Sequence, residues 1–343
     1  MSDPVLPRLG RYAPSPRALA GVGVAAACAV MLFPSAIVPR GASDGTSPWS
    51  SGTSVASLDR GAAVAERLMR QAEAMILAAK IEAGIVTDPA AGIDYSGLIG
   101  SELTPLVTTL GNLEAKRTAT NPSWAAVLTR QLSAAGIGRG DLIAASFSGS
   151  FPGLNLAVMA ASRALDADLA AVSSVTASTW GANQPGFTWP EIESRLVASR
   201  LLPRASIAVT TGGDGDRALD LSPEGQELAL TIRDRVAQRL GVPILHPASF
   251  EDAVRQRLSA YRRAANGRPI ALYVNVGGAT ASLGQSTAVL RLRSGFISPG
   301  PFDRSEDRGV MARFAEQGVK VLTLLNIRDL ALRWGIPLNG PTS

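Results

Sequence analysis

The sequence predicts an α/β fold: a doubly wound, mainly parallel sheet with helices on both faces, preceded by one N-terminal transmembrane helix. Three observations carry this. From residue 141 onward, short apolar runs alternate with segments of helical length, the pattern of a parallel sheet covered on both sides. Four of the apolar runs end in a loop of Gly, Ser or Thr, the chemistry of a strand-to-helix turn. Residues 18–38 form a 21-residue stretch without a charge, close to the ~20 residues that span a bilayer as a helix.

Arg8, Arg11 and Arg17 precede that stretch, and only Arg40 follows closely, beside Asp44. The positive-inside rule then places the N-terminus in the cytoplasm and the folded body outside the membrane. Residues 1–17 read as a basic cytoplasmic tail, 18–38 as a signal anchor, and 39–60, rich in Gly, Ser, Thr and Pro, as a flexible linker. The apolar run is longer than the roughly 7–15 residues of a signal-peptide core. A cleaved signal peptide is the alternative, because the Ala-rich run offers processing sites.

Residues 61–140 read as the helical N-terminal part of the globular domain. Over 61–83, Val64, Leu68, Met75 and Ala79 recur at helical spacing with charges between them. Asn121 and Pro122 mark the start of a second helix, with Trp124, Val127, Leu128 and Leu132 on its apolar face. Residues 141–343 read as a Rossmann-like α/β domain. Its expected strands are 141–147, 169–175, 206–210, 243–245, 270–276 and 321–325. Its expected helices cover about 154–165, a stretch from 190, then 222–240, 249–265 and a last turn after Asn326.

Composition excludes several classes. Hydrophobic residues make up 46% and charged residues 18%, so a core can be buried and wholesale disorder is excluded. A single cysteine, Cys28, permits no intramolecular disulfide and no Cys-cluster zinc site. A single histidine, His246, leaves no multi-histidine metal centre. No metal and no cofactor is expected. The formal net charge is +5, of which the first 40 residues contribute +3 through four arginines and Asp3. The body has too small a basic excess for a nucleic-acid partner.

In an open α/β sheet, ligands bind beyond the carboxyl ends of the strands. This chain concentrates small polar residues there: Ser148, Gly149 and Ser150; Ser173, Ser174, Thr176, Ser178 and Thr179; Thr210, Thr211, Gly212 and Gly213; Asn275, Gly277, Gly278 and Thr280. Glycine lets backbone approach a ligand, and hydroxyls donate without adding charge. Such a crown suits a carboxylate or phosphate. The same residues also serve as ordinary turn and cap residues.

No catalytic signature stands out. SGSFPG has the wrong spacing for a nucleophile elbow, and no Gly-Lys-Ser/Thr triplet occurs. His246 is the one imidazole available as a base. It could join Ser148 or Ser150 as nucleophile and Asp214 or Asp216 as orienting acid. Glu114, Asp214, Asp216, Asp303, Glu306 and Asp307 offer carboxylates for acid–base work. Arg255, Arg257, Arg262, Arg263, Arg268, Arg291 and Arg293 read as a cationic patch, with only Glu251 and Asp252 nearby.

Several blocks occur in order: LTPLVTTLGNLEAKRTATNPSWAAVLTRQLSAAGIGRGD over 103–141, then SGSFPGLNLAVMAASRAL, SSVTASTWGANQPGFTWPEIE, TTGGDGD and VNVGGATASLG. In this order they resemble the poly-gamma-glutamate system protein family, with LEAKR and SGSFPGLN the most specific parts. The resemblance covers nearly the whole chain after residue 60, and the N-terminal apolar segment. It implies a membrane-anchored accessory protein of poly-γ-glutamate synthesis and export, working beside the other components of the synthase complex. It implies no catalytic residues. Lys116 and Arg117, in the LEAKR block, are the expected cationic contacts to the polymer. Two alternatives accompany this reading: an enzyme of the γ-glutamyl hydrolase or transferase type acting on the polymer, and an assembly subunit of the synthase.

Overall fold

A computed structural model describes residues 55–85, 94–297 and 308–339. The anticipated tail, the membrane span over 18–38, most of the linker, and Asp303, Glu306 and Asp307 lie outside the described residues. Among the described residues, no helix is long and apolar enough to cross a membrane.

Three helices come first: α1 (Val55–Glu82), α2 (Leu113–Ala119) and α3 (Ser123–Ala134). α1 begins six residues before the expected start, inside the stretch read as linker. The added turns carry Asp59, which meets Arg130 of α3 at 3.1 Å. α2 was not anticipated as a helix; at seven residues it is too short to show a period.

The α/β part follows as β1 (Leu142–Phe147), α4 (Pro152–Ala164), β2 (Asp168–Ser174), α5 (Trp189–Ala198), β3 (Ser206–Thr210), α6 (Pro223–Leu240), α7 (Phe250–Ala265), β4 (Ile270–Val276), α8 (Thr280–Leu283), β5 (Gly295–Ile297), α9 (Val310–Glu316), β6 (Lys320–Leu324) and α10 (Ile327–Trp334). The six strands form one sheet in the order β3-β2-β1-β4-β6-β5. All neighbours pair in parallel except β5, which runs antiparallel to β6.

Two strand expectations are corrected. Residues 243–245 make only a single bridge beside β3, because Pro243 has no N–H to continue a ladder. β5 was missed, since three residues opening on glycine carry no alternation to read. The last helix is two turns long rather than one.

Strand residues alternate between two helix layers. Ile143, Ala145 and Phe147 of β1 join Leu272, Val274 and Val276 of β4 in a core shared with α1, α3, α4, α5 and α10. Ala144 and Tyr273 face the other way, against Tyr261 of α7 and Phe314 of α9. Trp124 packs edge-on against Trp334 at 5.9 Å, and Phe147 against Trp189 at 5.7 Å. The body is therefore wound on both faces, and 61–140 supplies part of one layer.

The chain leaves β1 towards β2 and β3, then crosses back to β4 on β1's other side. The order reverses between β1 and β4, the switch point beyond whose carboxyl ends ligands bind in open α/β sheets.

Candidate functional site

β1 ends at Phe147, and Ser148, Gly149, Ser150 and Phe151 turn the chain into α4. This turn is pinned from within. Ser150 N donates to Ser148 Oγ at 3.1 Å, and Asn155 Nδ2 of α4 donates to Ser148 O at 2.8 Å. The loop after β2 lies against it. Ala182 N donates to Gly149 O at 2.8 Å, and Ser178 N donates to Ser150 Oγ at 3.0 Å.

α2 delivers a cation to this junction. Asn112 caps it by accepting from Ala115 N at 2.9 Å. Its C-terminal end rests on Gly153 in the first turn of α4. A Cβ at residue 153 would stand 2.3 Å from Ala119 O, so only glycine permits this approach. Lys116 is thereby aimed under the loops. Its Nζ donates to Ser150 O, lies 2.7 Å from Ser178 Oγ, and sits 4.0 Å from the centre of the Phe151 ring.

Lys116 is 2% exposed. Among the described residues no carboxylate lies within ion-pair distance of its Nζ. Burial without a countercharge pushes its pKa down to about 7. A lysine in this state is a base at neutral pH, which an arginine cannot be.

The β3 and β4 loops complete the crown, and their polar groups are largely engaged with one another. Thr210 Oγ1 donates to Asp216 Oδ1 at 3.0 Å, and Thr211 Oγ1 to Asp216 O at 2.6 Å. Asp216 is gripped by Arg257, whose Nε and Nη2 reach its two oxygens at 2.5 and 2.8 Å. Asn275 Nδ2 donates to Gly277 O at 2.9 Å, and Asn275 Oδ1 accepts from Ser282 Oγ at 2.5 Å. Gly215 N donates to Thr280 Oγ1 at 2.9 Å, tying β3's loop to β4's. Thr176 N donates to Thr211 O at 2.9 Å, tying β2's loop to β3's. Ser174 Oγ is buried without a hydrogen-bond partner among the described residues. Gly278 is exposed, and Ser150, Gly213 and Thr280 are half-buried.

The four loops and Lys116 thus meet at one end of the sheet. Arg117 does not share Lys116's direction, being one residue and about 100° further round the helix. It is half-buried, and its charge is felt at the Tyr95 phenol. His246 is also elsewhere. It is exposed beyond β3, two strands and about 10 Å of sheet from β1. Its Nδ1 lies 3.2 Å from Arg233 Nη1, and its backbone N donates to Gln256. Ser148 and Ser150 make none of their described hydrogen bonds to it, and Asp214 is bonded by Thr280. Asp216 is occupied by Arg257.

The arginine patch disperses. Arg257 is fully buried, and Arg255 pairs with Asp252 and Arg268 with Asp168. Arg262 and Arg263 end α7, at the end of the sheet opposite the crown. Glu114 pairs with Arg328. Among the described residues, no three His, Cys, Asp or Glu side chains cluster as a metal site.

Sequence reasoning placed Ser178 among the crown hydroxyls without singling it out. The available signal was Lys116 itself: the chain uses only three lysines, Lys80, Lys116 and Lys320, among its 33 basic residues. A lysine kept where arginine is the habit is a titratable choice.

The chain matches no family model, and no curated protein matches it significantly.

Proposed function

We propose that the protein is a membrane-anchored accessory component of poly-γ-glutamate synthesis and export, and that its crown holds the anionic polymer. One observation supports this above others. The two blocks on which the resemblance rests most, LEAKR and SGSFPGLN, meet in space: Lys116 of the first donates to the Ser150 carbonyl of the second. Hydroxyls and glycines rim this junction, above the buried Lys116, which has no carboxylate within ion-pair distance among the described residues. Hydroxyls of this kind donate to a chain of carboxylates without adding charge. The N-terminal segment anchors the body outside the cytoplasmic membrane, beside the other synthase components.

The test uses the full chain in detergent and purified poly-γ-glutamate. Binding that weakens as salt rises is the expected result, because the attraction between a polyanion and a protein of net positive charge is screened. Absent or salt-insensitive binding refutes the reading. Protease added to intact cells should cleave the body. A body protected until lysis refutes the placement. Co-purification with the synthase without polymer binding would favour the assembly role instead.

A further inference from the structure

We infer that Ser178 and Lys116 form a nucleophile–base pair for acyl transfer, acting on an amide carbonyl of a carboxylate-bearing chain. The choice of a γ-glutamyl amide as substrate rests on the function proposed above; the pair itself stands on geometry.

Ser178 Oγ and Lys116 Nζ are 2.7 Å apart, within direct proton-transfer reach. A neutral amine has two N–H bonds and one lone pair. In the structure Nζ donates to both the Ser150 carbonyl and Ser178 Oγ; once it has given up a proton, it keeps an N–H for the Ser150 carbonyl and its lone pair can accept from the Ser178 hydroxyl. The Phe151 ring covers another side of the amine and keeps water from it. Burial, with no opposing carboxylate among the described residues, leaves a large share of Lys116 unprotonated at neutral pH. Serine–lysine pairs are an established variant of the nucleophile–base arrangement.

The pair is held rather than loosely placed. Ser178 N donates to Ser150 Oγ, and Gly181 N donates to Ser178 O at 3.0 Å. Ser150 thus positions both partners, one through its side chain and one through its carbonyl. Gly111 packs closely against them. A Cβ at residue 111 would stand 3.1 Å from Ser178 Oγ and 3.0 Å from Lys116 Cε. Any other residue there would crowd the hydroxyl.

The chemistry balances without a further reagent. Ser178 Oγ bonds to the amide carbon while Lys116 Nζ takes the hydroxyl proton. The tetrahedral adduct collapses, the C–N bond breaks, and Lys116 returns the proton to the departing amine. Water then attacks the acyl-serine and gives a proton to Lys116. The acid leaves as Ser178 recovers its proton.

The experiment labels the full chain, in detergent, with a fluorophosphonate, a reagent that phosphonylates activated serines, and reads the site by peptide mass spectrometry. Wild type should label at Ser178, with a rate that rises through one ionisation near pH 7. Ser178→Ala should not label at that position. Lys116→Met should label about 100-fold more slowly, the lower end of what a general base supplies. Lys116→Arg keeps the cation and most of the bulk but cannot give up its proton, so it should be as slow. Rescue by arginine would reduce Lys116 to a structural role and overturn the pair. So would an unlabelled Ser178 in wild type of native circular dichroism, or equal rates in all variants. Poly-γ-glutamate should slow labelling of wild type and be shortened by it. Labelling that the polymer does not slow, with the polymer left at full length, would support the pair and overturn the polymer as substrate. Salt-sensitive polymer binding with no labelling would overturn the pair and leave the accessory reading standing.

Discussion

Replacing Lys116 with methionine should remove a pH dependence of stability that this one side chain imposes. Burial lowers its pKa from 10.5 to about 7. The unfolded chain therefore carries a proton at this site, between pH 7 and 10, that the folded protein largely lacks. Where the unfolded state binds more protons, stability rises with pH. The ammonium's preference for water thus opposes folding fully below pH 7, and the opposition fades as the solution rises toward pH 10.5. At 1.36 kcal/mol per pKa unit, the opposition is about 4 kcal/mol at pH 7 and about 1 kcal/mol at pH 10. Methionine fills a similar volume and has no proton to lose. Guanidinium unfolding of wild type and Lys116→Met, followed by tryptophan emission at pH 7, 8, 9 and 10, isolates the effect. Lys80 and the tyrosines titrate in both proteins and cancel in the difference. The stability of the variant minus that of wild type should fall by about 3 kcal/mol from pH 7 to pH 10. Lost hydrogen bonds to Ser150 and Ser178 shift this difference by a constant without changing its slope. A flat difference would show that Lys116 keeps its proton in the folded state, and the reasoning would fail.

Other substitutions probe how the crown is built. Arg257→Met leaves the Asp216 carboxylate buried without its partner, and should cost about 3–5 kcal/mol in chemical denaturation; adding Asp216→Leu should recover part of that loss. Gly153→Ala pushes a methyl against Ala119 O at 2.3 Å, which should cost about 1–3 kcal/mol and slow Ser178 labelling by displacing α2. Trp124→Ala empties a fully buried site packed on Trp334 and should cost about 3–5 kcal/mol, read as a lower denaturation midpoint.

Much of the fold is legible along the chain because its signals are local. β1 and β4 are continuous apolar runs, and such runs mark strands buried on both faces. α6 and α7 start on Ser222 and Ser249, whose hydroxyls accept from Gly225 N and Asp252 N, and both end on a left-handed residue, Gly241 or Asn266. β5 and the lone bridge of residues 243–245 are illegible for the converse reason. Each is about three residues long, and its pairing is decided by the neighbour rather than by its own pattern. The crown divides the same way. Its loops are readable as strand ends, yet the sequence does not say which hydroxyls turn inward. Thr210 and Thr211 are spent on Asp216 because Arg257, 41 residues beyond it, holds that carboxylate in place. The arginine cluster misleads because helical residues two or five positions apart point to opposite sides: Arg257 lies in the core while Arg255 and Arg262 face solvent.

The sequence by itself determined the alternation of strand and helix, the polar character of the strand ends, and the scarcity of lysine, histidine and cysteine that confines the available chemistry. Only the tertiary structure decided that Lys116 and Ser178, 62 residues apart, stand side by side. It did so because the approach of α2 to α4 depends on Gly153 having no side chain, and the loss of charge at Lys116 depends on how completely other elements bury it. Both are properties of the packed interior, which no single stretch of chain contains.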